Sequence, residues 1–281
     1  MKLTLTRTRL LTFLFMIAVV LKIMSLLVSG HGHPLTDKIL SGLTLDLLLL
    51  RLIILVHGTY GRYQQLRQQY PLQDFPELLS AALRPLIRND KVCRVLVTET
   101  TLAYYAIFRW KKQASMPAFS WYSRQGAAAV YGIFIFLLLL EMTGMGLLLS
   151  RLNYPVLHRV MLAAGAYSVV FLLAHLKAIC YRPVQLDDNG ILLRYGIITS
   201  LHIPFDQVRT VRDLRRLPPA DNTVLQLSLL KAFEPGNVAL ELKQPISLYL
   251  LYKQKKAVKQ FIFRLDDPAS FRKTLESRIT C

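Results

Sequence analysis

Four stretches of the chain are predominantly apolar, and beyond them the hydrophobic period shifts from helical to alternating. The first, Leu10–Ser29, follows a basic start at Lys2, Arg7 and Arg9. A signal peptide ending in "LLVSG" is one reading; the length of the stretch and its interruption by Lys22 favour the other, an uncleaved membrane helix. The second, "ILSGLTLDLLLLRLIILVH" over Ile39–His57, carries Asp46 and Arg51 within it. The third, Ala127–Leu149, and the fourth, Pro155–Cys180, each suffice to cross a hydrocarbon core of about 30 Å at about 1.5 Å per residue. The expectation is about four transmembrane helices in two hairpins, residues 1–57 and 127–180.

Residues 58–126 separate the hairpins and read as a cytoplasmic or interfacial helical segment. In "PELLSAALRPLI" the positions Leu78, Leu79, Ala82, Leu83 and Leu86 recur at helical spacing. Pro76 suits a helix start, and Pro85 marks a kink or an end. "DKVCRVLVTETTLAYYAIFRWKK" is apolar on most faces but contains Glu99; a membrane-surface helix is expected, with a buried strand as the competing reading of its Val and Thr content. "KKQASMPAFSWYSRQG" reads as an interfacial loop, with Trp121, Tyr122 and Arg124 at headgroup level.

Residues 181–281 alternate. "VQLDDNGILLRYG" places two short apolar runs around Asn189-Gly190, a pair suited to the positive backbone angles of a tight hairpin turn. "IITSLHIP", "DQVRTVRDL", "TVLQLSLL", "NVALELKQP" and "AVKQFIFRL" read as further strands. "DDPASFRKTLESRI" closes as a helix, with Asp267 as cap, Pro268 in the first turn, and Phe271 and Leu275 on one face. The fold class predicted is therefore an α+β membrane protein: transmembrane helices plus a small cytoplasmic β-barrel closed at one end by the C-terminal helix.

Composition agrees with a membrane location. Hydrophobic residues make up 53% of the 281, and the formal net charge is +18. So basic a soluble chain would point to nucleic acid, but no zinc finger, basic zipper or RNA-stacking motif is present. Much of the charge instead clusters between the hairpins, from Arg62 to Arg124, whereas "GHGHPLTDK" and "SRLNYP" are nearly neutral. The positive-inside rule then predicts both termini, the middle segment and residues 181–281 in the cytoplasm. Cys93, Cys180 and Cys281 fall on the reducing side, so no disulfide framework is expected.

The candidate chemistry is sparse. Lys22 and Asp46 each lie seven residues from the loop joining the first two stretches, which predicts an ion pair at equal depth in the hairpin. That pair sets helix register in one reading and relays protons in the other. Arg51 is close enough to the inner end to snorkel. Glu141 is deeper, with Tyr167 and Ser168 as expected hydrogen-bond partners, or a protonated carboxyl. "YKQKKAVKQ" places Lys253, Lys255, Lys256 and Lys259 in a predicted loop. It is either a solvated tip that discourages edge pairing or a surface for anionic lipid, at about 1 kcal/mol per charge. No phosphate loop or nucleophile elbow occurs, and no catalytic, cofactor or metal residues are assigned.

The strand order after the last hairpin, with "LDDNGILLRYGIITSLHIPFDQVRTV" near its start, resembles the bacterial pleckstrin-homology-like domain. Together with "FSWYSRQG", "LKAICYRPVQLDDNGILLRYGI", "HIPFDQV", "NVALELKQPISL" and "FRLDDPASF", it is similar to a family of uncharacterised bacterial multi-pass membrane proteins over about residues 90–281. Some of that family carry a carotenoid-cleaving oxygenase label. Iron-dependent cleavage of that kind requires several convergent histidines. Here His31 and His33 lie in an outer loop, His158 near the outer end of the fourth stretch, His57 and His175 near the inner face, and His202 on a predicted strand. A surface metal site at His31 and His33 competes with a solvated loop. The resemblance implies a multi-pass protein of the bacterial inner membrane with a small cytoplasmic domain. The fourth stretch leading straight into that domain suggests a non-enzymatic membrane protein that presents it at the cytoplasmic face to a protein partner; an anionic-lipid sensor, or an enzyme or transporter using the buried charges, is the alternative.

Overall fold

The computed structural model describes residues 34–70, 73–108, 118–121, 126–152, 154–214, 218, 221–231 and 235–279. The chain forms two compact units, Met1–Val97 and Thr98–Cys281.

In the first unit, α1 (Pro34–Gln69) runs for 36 residues, past the expected end at His57. Nothing in "GTYGRYQQLRQQ" stops it, since Tyr, Gln and Arg hold a helix once it is nucleated. Helix α2 (Phe75–Leu83) begins with a capping box: the Asp74 carboxylate accepts from the helix start while Glu77 accepts from the Asp74 backbone N–H at 3.1 Å. Pro76 falls in its first turn, and the helix ends before Pro85. Leu79 and Leu83 pack against Leu55, Phe75 and Cys93. Helix α3 (Asp90–Ala103) continues into a π-helical turn, Tyr104–Phe108, so the Val- and Thr-rich run is helical.

The second unit carries two long helices, α4 (Ala127–Arg151) and α5 (Pro155–Tyr181), joined by a tight turn. Among the described residues these two helices alone are long and apolar enough to cross a membrane. The expected four are therefore not all found: the first apolar stretch lies outside the described residues, and α1, which carries Lys38, Asp46 and Arg51, is not among these spans.

Among the described residues, eight strands follow or flank this hairpin: β1 (Ala118–Phe119), β2 (Val184–Leu186), β3 (Gly190–Tyr195), β4 (Thr199–Pro204), β5 (Val208–Asp213), β6 (Val224–Gln226), β7 (Val238–Leu250) and β8 (Lys253–Phe263). They form two four-stranded sheets, β1-β2-β3-β4 and β5-β7-β8-β6. Neither closes into a barrel, which corrects that part of the expectation. Val184, Ile191 and Leu193 from one sheet share a core with Leu240, Phe261 and Phe263 from the other. The C-terminal helix α6 (Pro268–Ile279) inserts Phe271 and Leu275 into the same core. Asp267 caps it by accepting from the Ser270 N–H at 3.0 Å.

Three local expectations are revised. The segment read as an interfacial loop contributes β1, which pairs Phe119 with Val184 across the whole α4–α5 hairpin. Trp121 is buried there, with its ring 5.1 Å from Tyr195 and 5.7 Å from Phe263, because a large apolar ring gains more in that core than at a headgroup layer. Tyr122 and Arg124 lie outside the described residues.

The Asn189-Gly190 turn is not built on positive backbone angles, which occur only at Gly126, Gly196, Leu251 and Ala257 among the described residues. Instead the Asp187 carboxylate accepts from the Asn189 and Gly190 N–H groups at 2.9 and 2.6 Å. Gly190 is needed because a Cβ there would stand 2.4 Å from the Ile203 carbonyl oxygen.

Finally, the lysines expected in a loop lie on β8, since β7 and β8 pair through to Leu250 and Lys253.

Candidate functional site

The hairpin helices do not end where the sheets begin. On α5, Ala174, His175, Ala178 and Ile179 are buried, while the preceding turns expose Val156, Val160 and Met161. Ala174 and Ala178 pack with Leu102 and Tyr105, and with Ile197 from the β3–β4 turn. Small alanines on this face admit the large tyrosine ring. On α4, Tyr131 is fully buried, and its hydroxyl lies 3.4 Å from that of Tyr195. The Tyr195 hydroxyl accepts from the Leu229 N–H at 2.9 Å. Arg182, just past α5, is buried and donates to the Gly196 carbonyl at 2.6 Å, with its guanidinium 5.9 Å from the Tyr105 ring centre.

His175 sits in the middle of this junction. Its ring lies 5.1 Å from Tyr195, 5.7 Å from Tyr131 and 6.3 Å from Phe171. Neither ring nitrogen has a hydrogen-bond partner among the described residues.

The β7–β8 turn reaches back to the same helices. Leu251 has φ of 50° and donates its N–H to the Ile198 carbonyl at 2.9 Å. The Tyr252 hydroxyl donates to Glu99 at 2.5 Å, and the Tyr167 hydroxyl on α5 donates to the same oxygen at 3.1 Å. Burial, then the hydrogen bond to Glu99, pushes the Tyr252 phenol well above its usual range. Thus α3, α5 and the turn are tied at one carboxylate.

Lys22 lies outside the described residues. Asp46 and Arg51 are on α1, with Asp46 exposed. Glu141 is exposed on α4 and makes no hydrogen bond or ion pair among the described residues. Its expected partners are engaged elsewhere: Tyr167 on Glu99, and Ser168 on the Ala164 carbonyl at 2.9 Å. Glu141 and Ser168 do line one cleft between α4 and α5. Lys253 and Lys256 are exposed at the start of β8. Lys255 is half-buried and donates to the Val224 carbonyl at 3.2 Å, and Lys259 is half-buried. Among the described residues, no group of three or more His, Cys, Asp or Glu side chains converges.

Glu99 was visible in the sequence only as an acid in an apolar run; its ties to Tyr167 and Tyr252 span 68 and 153 residues and leave no local pattern. Comparison with family models, with curated proteins and with solved structures finds no match to this chain.

Proposed function

We propose that this chain is a non-enzymatic integral membrane protein whose paired sheets form an interaction module held at the cytoplasmic face of the bacterial inner membrane. The observation that carries the reading is the shared core of α5. Its first turns expose apolar side chains, and its last turns meet the sheet domain: Ile179 in the shared core, Ala178 against Ile197 and the His175 ring against Tyr195. A flexible tether would let the domain tumble, whereas this helix holds it at a fixed orientation. A fixed orientation and a high effective concentration suit capture of a membrane neighbour.

The favoured docking edge is β4, one of the two outer strands of its sheet, which exposes Ser200 and His202. In the other sheet the outer strand β5 is crowded by Arg209 and Arg212, both bonded to Glu241, which discourages strand addition at that edge. Photo-crosslinking from position 200 in native membranes tests this. One protein adduct at stoichiometric yield, absent from a probe at Arg159, is expected. Equal or absent labelling at both positions rejects the module.

A second reading, an anionic-lipid sensor, is favoured by the exposed Lys253 and Lys256. Reversing both charges should then abolish salt-sensitive binding to phosphatidylglycerol vesicles; unchanged binding rejects it.

A further inference from the structure

The α4–α5 cleft has a donor set that spacing of His and Cys does not reveal. It encloses about 200 Å³ and is lined by Met142, Met145, His158 and Met161, with Glu141 and Ser168 at its inner end. These are all of the methionines among the described residues. Antiparallel packing makes the helices' partners explicit. A Cβ on Gly165 would stand 2.7 Å from the Met142 sulfur, and one on Gly146 would stand 3.4 Å from His158 Nε2. Each helix therefore yields a glycine where the other sends a donor, and Met145 and Met161 lie between those two levels.

We propose that this cleft binds a soft monovalent cation, Cu(I) in the cell, through the three thioethers and the imidazole of His158. Thioether sulfur and imidazole nitrogen select Cu(I) over hard divalent ions, which require oxygen ligands. Methionine has three rotatable bonds, so the side chains can close around an ion in a space left open without it. A carboxyl group also stands beside the donors: Glu141 is the sole acid lining the cleft. Packing alone accounts for methionines against glycines. It does not account for an imidazole and a carboxyl group in the same cleft. Binding involves no change of oxidation state and needs no other reactant.

The test uses the full chain in detergent micelles, with Cys93→Ala, Cys180→Ala and Cys281→Ala to remove competing thiols. Ag(I) serves as the redox-inert probe and Cu(I) as its competitor, under anaerobic conditions. One Ag(I) per chain is expected, displaced by Cu(I) and not by Zn(II). Met145→Leu with Met161→Leu, a change that preserves volume, should weaken binding by about tenfold or more while the near-ultraviolet circular dichroism stays the same. His158→Gln should weaken it in the same direction. No retained Ag(I), or equal affinity in the double leucine variant, overturns the assignment. X-ray absorption on the Ag(I)-loaded parent gives a reading that does not depend on how the variants fold: sulfur and nitrogen neighbours are expected, and an oxygen-only shell overturns it.

Discussion

The imidazole of His175 lies directly under Gly196: a Cβ added to that glycine would stand 2.3 Å from Nδ1 and 2.4 Å from the adjacent ring carbon. The glycine also has φ of +50°, and its carbonyl accepts from the buried Arg182. Gly196→Ala therefore forces a clash and backbone strain at the point where helix and sheet meet. A loss of about 2 kcal/mol or more is expected, read from chemical denaturation in micelles. An unchanged midpoint would show that the ring can move aside freely.

His175 itself carries two polar atoms with no hydrogen-bond partner among the described residues, in a fully buried site. Leaving such groups unmatched costs about 1–3 kcal/mol, whereas an apolar replacement of similar size has no such cost. His175→Leu should keep or raise the denaturation midpoint. His175→Asp, which keeps the polarity and adds charge, should lower it sharply.

The Tyr252 phenol is held above its ordinary value of 10.0 by burial and by its bond to Glu99. A folded-state value above the unfolded one favours the protonated form of the fold. The contribution is complete below about pH 10 and falls as pH rises beyond it. The stability difference between wild type and Tyr252→Phe should be constant from neutral pH to about pH 9, then shrink toward pH 11 in matched denaturation curves.

Cys93 is buried beside Leu79 and Leu83, and burial raises its thiol above the usual range. Thiolate is the reactive form, so both access and ionisation oppose alkylation. Site-resolved mass spectrometry after brief maleimide treatment should find Cys180, which is half-buried, labelled ahead of Cys93. Adding denaturant should remove the difference.

Trp121 precedes the hairpin in sequence yet packs on Tyr195 and Phe263. Trp121→Ala should cost about 3–5 kcal/mol, and should do so in the sheet domain. A loss confined to the helices, judged by hydrogen exchange, would contradict the placement.

Much of this architecture was legible one element at a time. The third and fourth apolar stretches are helices, the capped terminal helix begins at Pro268, and the buried pair Phe271 and Leu275 faces the core. Residues whose environment is set by near neighbours carry that information locally. What could not be read depends on distant partners. The pairing of Phe119 with Val184 has no signature in either segment. Lysines suggested a loop at 253–259, yet the ladder with β7 overrides their preference and sets them on a strand. The Asn-Gly turn was placed correctly but for another cause, since crowding by Ile203 rather than dihedral freedom selects the glycine. The methionine cleft was hidden because its donors come from two helices and from a residue type seldom counted as a ligand.

The hairpin's position between β1 and β2 also sets a timetable for synthesis. At about 5–20 residues per second, β1 waits roughly three to thirteen seconds after leaving the ribosome before its partner is made. Throughout that interval both long helices must find their place, because β2 follows directly from the end of α5. An error in seating the helices therefore becomes an error in closing the sheet.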